Sequence, residues 1–166
     1  MFRRQRKRAA DSASADLRRR ALAATPDELG ITPTEDRPRV YGVLMDIAYP
    51  NGTATLVSLA DGSTSLYFSS GGGIIGGGEH THIAQASMAF VATADGFVEA
   101  MEPTKTFPAP PPDKVRFQLL TFTGGLTVEA DEAELGEQTH PLSPLFYKGQ
   151  NVITQLRRLE EQQQHG

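Results

Sequence analysis

The sequence predicts an α+β fold: a five-stranded antiparallel sheet, built as a three-strand meander, a helix, a two-strand hairpin and a C-terminal helix, behind a weakly ordered basic N-terminal arm. Three observations predict it. Tyr41, Val43, Met45, Ile47 and Tyr49 alternate with Gly42, Leu44, Asp46 and Ala48, the period of two that a strand imposes on its side chains. Asn51-Gly52 and Asp61-Gly62 punctuate the β-rich runs that follow, where tight hairpin turns need positive φ. Ile83, Ser87, Phe90, Ala94, Phe97, Val98 and Met101 then recur at three- and four-residue steps, so residues 79–101 read as an amphipathic helix with its apolar face on the sheet.

The elements follow in order. Residues 9–24 are rich in Ala and Arg but hold only Leu17 and Leu22 as large apolar side chains, too few to anchor a helix, and so predict a marginal one. Thr25-Pro26-Asp27-Glu28-Leu29-Gly30 combines an N-cap, a proline at the first helical position, a capping-box Glu and a terminating glycine, which describes one short turn of helix. Thr32 to Pro38 is a proline-punctuated linker. The meander occupies residues 41–49, 53–60 and 64–70, and the helix follows. Pro103 to Pro112 holds five prolines and reads as an extended connector. Residues 115–122 and 126–130 pair around Gly124-Gly125, and an acidic patch runs from Glu129 to Glu137. Ser143 as N-cap and Pro144 at the first position open a terminal helix whose Leu145, Val152, Ile153, Leu156 and Leu159 share one side. The expected organisation is thus an arm and linker over residues 1–38, one domain over 39–160 and a disordered tail over 161–166.

Charge is unevenly distributed. Residues 1–20 carry eight Arg or Lys against two Asp, whereas residues 41–166 carry six basic against fourteen acidic side chains. An acidic body repels phosphate, so nucleic-acid binding would rest on Arg3, Arg4, Arg6, Lys7 and Arg8 alone, and the reading is against it. There is no cysteine, which excludes disulfides, thiolate metal sites and cysteine nucleophiles and fits a reducing compartment. The basic start lacks the apolar stretch of a secretory signal, and no run of about eighteen apolar residues offers a membrane span, so a cytoplasmic protein is expected.

Pro38-Arg39-Val40-Tyr41-Gly42-Val43-Leu44-Met45, the stretch from Ser65 through His80, and His140-Pro141-Leu142-Ser143-Pro144-Leu145-Phe146 resemble the landmarks of an uncharacterised family of small bacterial α+β proteins, over residues 38–158. The order of elements is similar to that of profilin-like and roadblock/longin scaffolds. Neither likeness implies an activity.

The most unusual stretch is Ser69-Ser70-Gly71-Gly72-Gly73-Ile74-Ile75-Gly76-Gly77-Gly78-Glu79-His80, with six of the sixteen glycines in eight positions. It satisfies the G-x-G-x-x-G pattern between a strand and a helix, but the flanking strands look like hairpins and no acidic residue ends the next strand, so a dinucleotide site is not expected. Backbone amides and the Ser69 and Ser70 hydroxyls would suit an anion, yet Glu79 opposes one and no Lys or Arg lies within twenty residues. Glu79, His80, His82 and His140 invite a metal reading, against which two histidines at i and i+2 diverge on a helix. Ser69 or Ser70 with His80 and Asp46 make a triad only on paper, since no nucleophile elbow is present. Asp131, Glu132 and Glu134 read as a solvated cluster. No catalytic set, metal or cofactor is expected. The expectation is a non-enzymatic interaction or regulatory module that presents loop 69–80 and a sheet edge to a protein partner, with a homodimer as one such assembly. The alternative is a domain or enzyme binding a small anionic ligand at that loop and the following helix start.

Overall fold

A computed structural model describes residues 15–165; the basic run from Arg3 to Arg8 lies outside the described residues. The chain is α+β, with one antiparallel sheet. Its strands are β1 (Val40–Tyr49), β2 (Gly52–Leu59), β3 (Thr64–Phe68), β4 (Gly73–Ile74), β5 (Glu102–Thr104), β6 (Lys114–Thr121) and β7 (Gly124–Asp131), in the spatial order β4-β3-β2-β1-β6-β7-β5. The sheet therefore has seven strands, not five. The two additions, β4 and β5, are edge strands of two and three residues lying in glycine- and proline-containing sequence, too short to carry a readable period.

The helices are α1 (residues 15–23), α2 (Pro26–Leu29), α3 (Thr81–Asp95), α4 (Glu132–Gly136) and α5 (Ser143–His165). The α2 turn is built as its sequence reads: the Thr25 hydroxyl accepts from the Glu28 amide, the Glu28 carboxylate accepts from the Thr25 amide, and Gly30 closes it at φ 69°. Helix α3 is shorter than the periodicity suggests. Gly96 ends it, and the apolar residues beyond belong partly to a 3-10 turn, Val98–Ala100. Asp95, the last α3 residue, is held by the Arg39 and Val40 amides at 2.8 and 2.9 Å, fixing the helix end against the start of β1. At the start of α5, Ser143 lies inside the helix with its hydroxyl unpartnered, and the ring Nδ1 of His140 accepts from the Leu142 amide at 3.0 Å. The same helix continues to His165 through residues read from sequence as a tail.

Register sorts the sheet into two faces. On the helix face, Val43, Met45, Leu56, Leu66, Phe117 and Leu119 are buried beneath α3 and α5. A side chain at Gly149 of α5 would collide with Met45 and Phe90, so the bare position lets this helix approach β1 and α3. A hydroxyl cluster sits under α3: Ser87 meets Ser58 at 2.8 Å and Thr64 at 2.5 Å. The opposite face, here the arm face, is covered by α1 and the proline-rich connector. Leu17, Ala21 and Leu22 of α1 pack on the core, and Phe107 of the connector lies against α1 and Gly125. Residues 15–23 are thus a packed helix, and what the two leucines lack in apolar area an ion pair supplies: Arg18 reaches Asp46 of β1 at 2.7 Å.

Candidate functional site

Loop 69–80 begins as a hairpin. The Phe68 amide donates to the Gly72 carbonyl and the Phe68 carbonyl accepts from the Gly71 amide across a turn in which Gly71 and Gly72 have φ of 115° and 83°, and β4 returns along β3 with Ile74 opposite Leu66. Ser69 fastens the turn to the β1–β2 hairpin: its amide donates to the Thr53 carbonyl at 2.9 Å and its hydroxyl accepts from the Thr53 amide at 2.7 Å. The Ser70 hydroxyl lies 3.5 Å from that of Tyr49. Gly76, at φ 77°, turns the chain into a 3-10 turn, Gly77–Glu79, and the His80 carbonyl accepts from Ile83 and Ala84 to start α3.

Each of the six glycines has a local reason. Gly71, Gly72 and Gly76 hold a positive φ that side chains disfavour. At Gly73 a Cβ would meet the Leu66 carbonyl, at Gly77 the Leu156 side chain, and at Gly78 the Gly62 carbonyl. The glycines therefore let the loop thread between the β2–β3 turn and α5. The two isoleucines split: Ile74 packs against the core, whereas Ile75 is 66% exposed, the most exposed large hydrophobic side chain among the described residues.

The other candidates separate. His80 is half-buried and caps nothing, and its ring lies 6.3 Å from that of the exposed His82. His140 is engaged in its own turn, and among the described residues no three His, Asp or Glu side chains are placed to hold an ion. Asp46 lies on the arm face bound to Arg18 and Thr55, so no triad with Ser69 or Ser70 and His80 forms. Asp131 is the N-cap of α4, not part of a loose turn: it accepts from the Ala133 and Glu134 amides. The Glu134 amide, together with Lys114, holds the Asp131 carboxyl below its ordinary range. Burial pushes Glu132 upward, and the charges of Asp113 and Asp131 add to the shift.

Four features escaped the sequence. The register lines up Tyr67, Thr55, Asp46, Arg116 and Glu129 across five strands of the arm face. In that row Thr55 bonds Asp46 at 2.5 Å, Arg116 bonds Glu129 at 2.7 Å, and the buried Arg116 Nε has no partner. Cations unseen near the loop in sequence arrive from α5, where Arg158 shares a cleft with His82. A groove of about 450 Å³ opens between α5 and the ends of β1, β2 and β3, floored by Ile47, Ala54, Leu66, Phe68 and Ile153. A larger, open cleft of about 620 Å³ at the β5 edge is bordered by Arg39, already bound to Asp95 and Glu99. Only periods and spacings within a segment are readable from a chain, and all four features join segments tens of residues apart.

Among the described residues no helix is long and apolar enough to cross a membrane. No protein-family model, curated protein or solved structure matches the chain.

Proposed function

We propose that this chain is a non-enzymatic protein-interaction or regulatory module of the cytoplasm, whose contact element is the tip of loop 69–80 with Ile75 as its apolar anchor. One observation carries the reading: of two adjacent isoleucines in a frame of left-handed glycines, Ile74 on the edge strand packs inward and Ile75, just past its end, is 66% exposed. An exposed aliphatic side chain on a fixed turn suits burial in a partner's pocket, and it carries little ordering cost because the loop is already built. Recognition by strand addition is the weaker variant, since the left-handed glycines on both sides of β4 leave only two residues of regular edge. The competing reading, an anionic ligand on the loop backbone, draws less support. The six glycines are accounted for by turns and close packing, the Ser69 hydroxyl is occupied, and Glu79 stands at the helix start.

Native mass measurement tests the proposal. The wild-type chain is expected as a dimer, or bound to a co-purifying protein, whereas Ile75→Asp is expected as a single chain with an unchanged melting temperature. An assembly that survives Ile75→Asp, or a wild-type chain that assembles with nothing, would overturn it.

A further inference from the structure

The groove between α5 and the β1–β3 end of the sheet has two chemically distinct parts. Its floor is aliphatic and aromatic, contributed by Ile47, Leu66, Phe68 and Ile153. Its rim carries Gln150 and Arg157 from α5 and Glu132 from the start of α4. A volume of about 450 Å³ falls within the range of small-molecule sites, and such sites pair an apolar wall with a few polar groups that fix the ligand's orientation. Among the described residues neither Arg157 nor Glu132 has an ion-pair partner. Their positions follow from the fold: α5 reaches over the helix face of the sheet with Ile153 pointing in, and Gln150 and Arg157 lie one turn before and one turn after it on the same side.

We propose that this groove binds a small amphiphile, with an apolar chain along Ile47, Leu66, Phe68 and Ile153 and a carboxylate head held by Arg157. Charge complementarity selects the head group. A guanidinium forks onto a carboxylate through two parallel bonds, and the Gln150 amide adds a donor on the same helix face. A cationic amphiphile would face the same guanidinium unfavourably. Glu132 sets a limit on the fit, because its carboxylate, when ionised, repels the ligand's head. The site shares no residue with loop 69–80, so the inference stands apart from the contact assigned to Ile75.

Titration of the full chain with decanoate, decanol and decyltrimethylammonium, followed by NMR of the isoleucine and leucine methyl groups, tests the inference. Decanoate is expected to move the signals of Ile47, Leu66 and Ile153 saturably and to bind at least about tenfold tighter than decanol. Arg157→Ala is expected to remove that tenfold preference while decanol binding stays the same, and Glu132→Gln to tighten decanoate a few-fold at neutral pH. Ile75→Asp should change none of these values. Equal affinity for decanoate and decanol, a decanoate affinity indifferent to Arg157→Ala, or shifts confined to methyl groups outside the groove would each overturn the proposal.

Discussion

The two faces of the sheet solve the same problem by different chemistry. The helix face is dry: Met45, Leu56, Leu66, Phe117 and Leu119 meet Phe90 and the inner side of α5, with one small hydroxyl cluster that is closed by the Gly62 carbonyl. The arm face buries Leu44, Val57 and Leu120 but runs a row of polar side chains through the middle of that surface, and its central Asp46 is 0% exposed. Hydrophobic burial is non-directional and tolerates any apolar neighbour, whereas a buried carboxylate needs particular partners at particular distances. The helix face therefore gives this fold its stability, and the arm face determines where the N-terminal segment docks.

The largest effect is expected where the dry face is opened. Phe117→Ala removes a fully buried ring at the centre of β6, and the cavity term adds to the lost transfer free energy. A loss of about 3–5 kcal/mol is expected from urea unfolding, with the midpoint falling and its slope unchanged. A loss near 1 kcal/mol would mean that α3 and α5 pack loosely over the sheet.

On the arm face the instructive change is Arg18→Ala. It leaves Asp46 buried with the Thr55 hydroxyl as its remaining hydrogen bond, while Arg116 in the neighbouring strand stays committed to Glu129. A cost of about 2–3 kcal/mol is expected, because an uncompensated buried charge is worse than either the pair or a neutral substitute. Trypsin should then cleave at Arg19 and Arg20 faster than in the wild type, reporting that α1 has come away. Adding Asp46→Asn should recover part of the loss, since a neutral amide needs no counter-charge, and the double-mutant cycle isolates the coupling. Purely additive effects would show that the ion pair does not hold α1 in place.

This contrast explains what was legible in the sequence. The meander, α2, the hairpin and the apolar sides of α3 and α5 are local patterns, and Tyr41 to Tyr49 alternates because each strand residue has a fixed side. The docking of α1 was not legible. By apolar content two leucines are too few, and the partner that completes the anchor, Asp46, lies 28 residues from Arg18. Strands β4 and β5 were missed because two or three residues show no period, and Asp131 looked solvated until α4 gave it two amides to accept from. The unusual composition of the glycine loop was plain, but not its reasons, since the obstructing groups at Gly77 and Gly78 come from Leu156 and Gly62.

The glycine loop carries a smaller version of the same comparison, between crowding and conformation. At Gly78 an added Cβ strikes the Gly62 carbonyl and Ser63, fixed backbone that cannot give way, and Gly78→Ala is expected to cost about 2 kcal/mol. At Gly72 the space is open and only the φ of 83° resists, so Gly72→Ala is expected to cost about 1 kcal/mol. Thermal unfolding of the two variants at one pH ranks them, and the reverse order would make backbone conformation the dominant constraint in the loop.

The smallest expected effect is a dependence on pH at the junction of β7 and α4, where two adjacent carboxylates are shifted in opposite directions. Asp131 is held below its ordinary range by the Glu134 amide and Lys114, so its contribution is present at neutral pH and is lost as pH falls through its folded value. Glu132 is raised, first by burial and then by Asp113 and Asp131, so the folded state binds its proton more readily than the unfolded chain does. Stability from Glu132 is therefore full below its ordinary value and declines as pH rises through the raised one. Glu132→Gln should flatten that decline and raise stability slightly at pH 7 relative to the wild type, whereas Asp131→Asn should lower it at pH 7 and leave it nearly unchanged in acid. Unfolding curves between pH 3 and pH 7 separate the two, because the variants must diverge from the wild type in opposite senses as the pH rises. If both lower stability equally at pH 7, Glu132 is held by a partner that favours its charged form.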